Sequence, residues 1–149
     1  MTAIAVLGTL AGCWNAHAYL VEPPIPQPGD LVGAWVNSDD GGRIDFHADE
    51  TCRLSGIPTG ALKLEPAGAD GKPIGMPIDT AACTWRVADN RAAIHLSWEG
   101  RGTTLVVLRH DGTEIGFSLG DPDTGDLYPL EKRPRLRSGA ELGARLRVR

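Results

Sequence analysis

The sequence contains three cysteines, Cys13, Cys52 and Cys83, which offer its most varied chemistry. A thiolate is a nucleophile and a metal ligand, whereas two thiols in an oxidising compartment form a disulfide. Neither Cys52 nor Cys83 belongs to a Cys-x-x-Cys pair, which argues against a zinc site. An odd number of cysteines in an exported protein predicts one thiol that is free or has a special role.

A second cluster is the acidic stretch Asp121-Pro122-Asp123-Thr124-Gly125-Asp126. Three carboxylates this close offer the oxygen ligands that Ca²⁺ prefers. An EF-hand would need an oxygen ligand at the fifth position and Gly at the sixth, and here those positions hold Gly125 and Asp126. We expect a tight turn in which aspartates accept backbone N–H groups, with a cation site at Asp121, Asp123 and Asp126 as the alternative.

The histidines do not form a recognisable catalytic set. His95 and Ser97 are two residues apart and share one face of an expected strand, but no third group orients them and no Gly-x-Ser-x-Gly turn exists. The sequence also lacks a phosphate-binding loop, a dinucleotide fingerprint and a zinc-protease helix. We therefore predict a protein that is not an enzyme and uses no cofactor.

Charge is distributed unevenly along the chain. Residues 1–131 hold 8 Lys and Arg against 18 Asp and Glu, whereas residues 132–149 hold 7 against 1. This pattern predicts an acidic folded body followed by a basic tail. An acidic body argues against nucleic-acid binding. The tail would hold the body against anionic lipid or wall polymer, or would simply be solvated.

The N-terminus carries a short apolar run, residues 3–10, that is too short to span a membrane and is typical of a secretory signal. The sequence Leu10-Ala11-Gly12-Cys13 that ends it resembles the lipobox of bacterial lipoproteins. The resemblance implies that residues 1–12 are removed and that Cys13, diacylated on sulfur, anchors the chain in membrane lipid. Lipoproteins carry Lys or Arg before the run, and here only Met1 and Thr2 precede it, which leaves an upstream start or an atypical signal open. A buried N-terminal strand is the alternative.

If Cys13 is acylated, Cys52 and Cys83 remain as a pair in an oxidising compartment. A disulfide between them is the prediction, and two buried free thiols are the alternative. The residues from Cys13 to position 29 include four prolines in six positions, 23–28, and we interpret segment 13–29 as the anchor and a semi-rigid spacer.

Residues 30–131 alternate apolar and polar positions, and turn residues interrupt the pattern about every ten positions. This predicts seven or eight short antiparallel strands and an all-β domain, either a small barrel or a sandwich. The run 104–108 is more continuously apolar and predicts a more buried strand. Residues 56–80 are rich in Gly and Pro and predict a long excursion, with a short hairpin near Leu62 and Leu64, that is the best candidate for a binding element.

Two family resemblances concern the expected β domain. Gly33-Ala34-Trp35 resembles the Gly-x-Trp motif of lipocalins and calycin barrels, in which the Trp closes the base of the barrel. Residues 31–58 and 115–131, with their motifs at 40–49 and 119–128, resemble a group of uncharacterised actinobacterial secreted lipoproteins, which implies an envelope location and no particular activity.

Together these patterns predict a lipid-anchored protein on the extracytoplasmic face of the cell membrane, an accessory binding or structural module. One alternative is a lipocalin-like carrier of a small apolar ligand. Its binding site would be lined by Trp35, Trp85, Trp98 and Phe117. The other is a protein-binding module, such as an inhibitor of a wall-active enzyme, that acts through residues 56–80. Beyond lipid, the expected partner is a small ligand or an envelope protein.

Overall fold

The computed structural model describes residues 25–63 and 65–134, which form eight strands, two short helices and one 3₁₀ turn. The strands are β1 Gly33–Val36, β2 Arg43–Phe46, β3 Thr51–Ser55, β4 Ala81–Val87, β5 Ala93–Trp98, β6 Arg101–His110, β7 Glu114–Ser118 and β8 Leu127–Arg133. The helices are α1 Pro28–Leu31 and α2 Thr59–Leu62, and the 3₁₀ turn is Pro122–Thr124. Among the described residues, none of the helices has the length and apolar character needed to cross a membrane.

The eight strands form a closed up-and-down barrel. Each strand is antiparallel to the next, and β8 pairs with β1 to close the sheet, so that Trp35 lies opposite Ile44 on one side and Lys132 on the other. The prediction of a small antiparallel all-β barrel is confirmed, and the sandwich alternative is wrong. Antiparallel hairpins give this topology directly because each strand needs only a short turn to reach its neighbour.

The alternating pattern of the sequence places one face of every strand inside the barrel. On β4 and β5, for example, Cys83, Trp85, Leu96 and Trp98 are buried, while Thr84 and Ser97 between them are exposed. An eight-stranded barrel has an interior just wide enough to be filled by such side chains. The run 104–108 was expected to be more buried than the other strands, but only Leu105 and Val107 are buried, so it alternates as they do.

The two ends of the barrel differ. One end, here called the terminal end, holds residues 25–32, the turns 47–50, 88–92 and 111–113, and the last residues of β8. The other, here called the loop end, holds the connections 37–42, 56–80, 99–100 and 119–126. The long connection 56–80 therefore belongs to the loop end.

Trp35 fastens the terminal end. Its indole Nε1 donates to the carbonyl of Leu31 at 2.6 Å, which ties β1 to helix α1. The ammonium of Lys132 donates to the carbonyl of Asp30 and lies 5.1 Å from the centroid of the Trp35 ring, a cation–π arrangement. Lys132 and Arg133 were expected in the basic tail, but they complete β8 because their backbones pair with β1. Helix α1 likewise includes Pro28 and Gly29 of the expected spacer.

The predicted disulfide between Cys52 and Cys83 is present. The two cysteines are direct partners in the β3–β4 register, with their Cα atoms 4.7 Å apart. The bond links neighbouring strands at the base of connection 56–80 and closes a loop with a sequence separation of 31.

Connection 56–80 folds back on itself over the loop end. Its two arms, 56–60 and 74–78, run antiparallel, with Thr59 N–H donating to the Met76 carbonyl at 3.0 Å and Gly60 N–H to the Ile74 carbonyl at 2.8 Å. The hairpin predicted near Leu62 and Leu64 is wrong at Leu62, which ends helix α2, and Leu64 lies outside the described residues. The helix is held because the Thr103 hydroxyl donates to the Leu62 carbonyl.

Removing the disulfide should destabilise the barrel without unfolding it. By chain entropy a closed loop of this length contributes about 3–4 kcal/mol, and we expect Cys52→Ser/Cys83→Ser to lower the free energy of unfolding by about that amount in urea titrations. The parent treated with a reductant is the matched control and should show the same loss. An unchanged urea midpoint on reduction would contradict the assignment.

Candidate functional site

The four aromatic residues expected to line a ligand site lie inside the barrel and are almost inaccessible, at 0% exposure for Trp35, 4% for Trp85, 6% for Trp98 and 1% for Phe117. They pack against other interior side chains. The Phe46 and Trp85 ring centroids are 4.9 Å apart, and the Trp85 indole donates to the His47 carbonyl at 3.1 Å. Their arrangement is that of a filled core.

The acidic stretch expected to turn or to bind a cation forms the 3₁₀ turn at the loop end. Asp121 begins it, and its carboxylate accepts the N–H of Asp123 at 3.0 Å. Gly125 ends it in the left-handed conformation, with φ of 76°. No group of three His, Cys, Asp or Glu side chains in the described part of the chain is placed to hold a metal ion. This geometry favours the turn interpretation of Asp121, Asp123 and Asp126.

Four expected features lie outside the described residues, namely the signal segment 1–12, the anchor Cys13, the first part of the spacer, 14–24, and the tail beyond Pro134. His95 and Ser97 are within them, on the outer face of β5, beside an open cavity of about 540 Å³. The His95 ring is held by Thr104, with 2.8 Å between Nδ1 and Oγ1, and Ser97 lies opposite Gly102. The one side-chain hydrogen bond of His95 among the described residues thus goes to a hydroxyl on the next strand.

A buried asparagine, which the sequence analysis did not predict to have a structural role, holds the loop end together by hydrogen bonds. Asn37 follows β1 and is 3% exposed. Its side-chain oxygen accepts the N–H groups of Asp39 and Asp40 at 2.8 and 3.1 Å, and its amide donates to the carbonyl of Pro129 at 2.8 Å. Asn37 therefore shapes the 37–42 turn and binds it to β8.

A hydrogen bond between a tyrosine and a carboxylate also holds the 37–42 turn against β8. The Tyr128 hydroxyl donates to Asp40 Oδ1 at 3.0 Å, and the same oxygen accepts the N–H of Gly42 at 2.7 Å. Burial raises the pKa of Tyr128, and the negative charge of Asp40 raises it further. Position 42 must be glycine, because a Cβ there would overlap the Tyr128 hydroxyl.

The loop end also exposes apolar side chains. Met76 is 78% exposed and Ile74 is 47% exposed, whereas the next alternate residue of the same arm, Ile78, packs against the core. We call Ile74 and Met76 the apolar edge. One further large apolar side chain of the described residues is exposed, Ile25 at 42%, and it lies at the terminal end.

Acidic residues are concentrated at the loop end. The loop-end connections 37–42, 56–80, 99–100 and 119–126, together with Arg101 at the start of β6, contain nine Asp and Glu against three Lys and Arg. In residues 25–134 as a whole the numbers are 17 and 10. Most of the net negative charge of the barrel is therefore at the loop end.

The raised pKa of Tyr128 predicts a loss of stability in alkali. The folded state keeps the phenol protonated where the unfolded state, with a pKa of about 10, releases the proton, so stability is intact below about pH 10 and falls as pH rises above it. We expect the parent to lose stability between about pH 10 and 12 more steeply than Tyr128→Phe. Thermal unfolding across this pH range measures the difference, and parallel curves for the two proteins would contradict it.

The loop end thus combines a fastened turn, an exposed apolar edge and an excess of carboxylates, and it is the candidate site. No protein-family model matches the sequence, and no curated protein matches it.

Proposed function

We propose that this chain is a lipid-anchored binding domain of the cell envelope, held to the outer face of the membrane through Cys13, that presents its loop end to a partner. The observation that carries the proposal is that both ends of the described chain lie at the terminal end of the barrel. Ile25 lies there beside Trp85 and Val87 in one cavity, and Arg133 pairs with Ala34 at the start of β1.

The two segments beyond these residues therefore start from the same side of the domain. One leads back to Cys13, and the other, 135–149, carries five Arg and one Glu. Each basic residue near an anionic membrane contributes about 1 kcal/mol of attraction. An acyl anchor and a basic tail that start together would hold the terminal end towards the lipid, and the acidic loop end would point away from it.

The disulfide and the lipobox resemblance support this location. Structural disulfides persist in oxidising compartments outside the cytoplasm, and the Cys52–Cys83 bond is of that kind. The resemblance of stretches 40–49 and 119–128 to actinobacterial secreted lipoproteins points the same way. A chain with these features would be exported before it folds and oxidises.

Binding at the surface is favoured over carriage of a ligand in the interior. Trp35 and Phe117 pack inside the barrel with at most 1% exposure, so an apolar ligand would have to displace a packed core. The loop end instead exposes both carboxylates and apolar side chains. Met76 there is the most exposed large apolar side chain of the described residues.

Detergent-phase partitioning tests the anchor. The full chain, expressed with its genomic upstream region in an actinobacterial host, should enter the detergent phase, and Cys13→Ala should remain in the aqueous phase. Cys52→Ser/Cys83→Ser is the matched control. It should partition like the parent, because the two cysteines that it removes form a disulfide in the parent and carry no lipid. A parent protein found only in the aqueous phase would overturn the proposal.

Vesicle sedimentation tests the orientation. With Cys13→Ala as background, deleting residues 135–149 should reduce binding to vesicles that contain anionic lipid by about tenfold or more, because four net positive charges are lost. Binding should weaken with added salt and be absent on zwitterionic vesicles. If Asp39→Asn/Asp123→Asn changes vesicle binding more than the tail deletion does, the loop end faces the membrane and the orientation is wrong.

A further inference from the structure

The apolar edge is held in place by backbone hydrogen bonds. The carbonyls of Ile74 and Met76 accept from Gly60 and Thr59, and the N–H of Ile78 donates to the carbonyl of Ile57 at 2.9 Å. Gly75 between them has a positive φ of 99°, and the side chains on either side of it, Ile74 and Met76, are both exposed. Their exposure is therefore a fixed property of the loop end and does not depend on loop motion.

The edge is also protected against pairing with another strand. Pro73 and Pro77 flank its residues and have no N–H to donate, so an added strand could not complete a ladder along this arm. A partner must then recognise the edge through side chains. Methionine suits this role because its flexible, polarisable side chain adapts to different apolar surfaces.

One carboxylate lies close to the apolar edge. A Cβ placed on Gly68 would lie 3.1 Å from the Asp70 carboxylate oxygen and 3.3 Å from a methyl carbon of Ile74, so these two groups border the same point of the surface. Asp79 is exposed and follows the same arm. The loop end as a whole holds nine acidic and three basic residues.

We propose that the apolar edge, with the carboxylates around it, binds a cationic amphipathic segment of another envelope protein. Apolar side chains of that segment would pack on Ile74 and Met76, and its Lys or Arg would face the carboxylates, the usual division of an interface into an apolar centre and a polar rim. Anionic lipid and acidic proteins are excluded by charge. The inference depends on the proposed function in one respect, namely that the loop end points away from the membrane.

A peptide-binding assay tests the proposal. The probe is a fluorescein-labelled amphipathic peptide of Lys and Leu, and the protein is the full chain with Cys13→Ala, which needs no detergent and works whether or not Cys13 is acylated in cells. We expect saturable binding in fluorescence anisotropy, reduced about tenfold or more by Ile74→Ser/Met76→Ser. Ile25→Ser, at the opposite end, is the matched control and should bind like the parent.

The charge requirement is tested in the same assay. Asp39, Asp79 and Asp123 are exposed, and their carboxylates accept no hydrogen bond from the described residues, so Asp39→Asn/Asp79→Asn/Asp123→Asn should keep the fold. This variant should bind the peptide several-fold more weakly, and the parent should lose affinity with added salt. The matched variant Glu50→Gln/Asp89→Asn/Glu131→Gln removes the same charge elsewhere and should bind more tightly than the loop-end variant. Thermal unfolding checks that each variant is folded.

Four results would overturn the proposal. The first is absence of peptide binding, and the second is binding that neither loop-end variant weakens. The third is tighter binding after deletion of residues 135–149, which would assign the surface to the chain's own basic tail. The fourth is self-association abolished by Ile74→Ser/Met76→Ser, which would assign it to a second copy.

Discussion

The pairing of β1 with β8 is the constraint on which the rest of the structure depends. It joins residues about a hundred positions apart, Ala34 to Arg133 and Val36 to Glu131, and turns a meander of hairpins into a closed surface. Closure gives every strand a hydrogen-bonded neighbour on both sides. Each side chain then points either into the barrel or out from its surface. Trp35 strengthens this seam, because it is held from one side by helix α1 and covered from the other by Lys132.

Closure also determines where function can lie. Aromatic and aliphatic side chains fill the interior of so small a barrel. Residues that bind a partner must therefore lie on the connections or on the outer face. Here the connections divide by end. Those of the terminal end are short, whereas the loop end has the long connection 56–80 and the acidic loops 37–42 and 119–126.

The sequence predicted the fold well because the fold depends on period-two alternation, which is visible residue by residue. Cys52 and Cys83 share the inward parity of their strands, and their pairing followed from counting cysteines. The interior of connection 56–80 was harder, because its short helix and paired arms depend on distant partners, such as the hydroxyl of Thr103 on β6. Asn37 was missed for the same reason, since its partner is the carbonyl of Pro129.

Of the candidate site, the excess of acidic residues could be read from composition, but the exposure of Met76 could not. Met76 stands at an alternate position between Ile74 and Ile78, but Gly75, with a φ of 99°, departs from the extended conformation on which regular alternation depends. Ile78 packs against the core, whereas Met76 is exposed. Similarly, the burial of Tyr128 beside Asp40 follows from how β8 meets the 37–42 turn.

The β1–β8 seam has a consequence for how the protein matures. Until β8 pairs with β1, the sheet has two open edges and exposes the apolar faces that the closed barrel buries. Contacts between residues so far apart in sequence also form slowly. The unclosed sheet is thus the species most prone to aggregate, and quality control in the cell would act on this intermediate more than on the finished barrel.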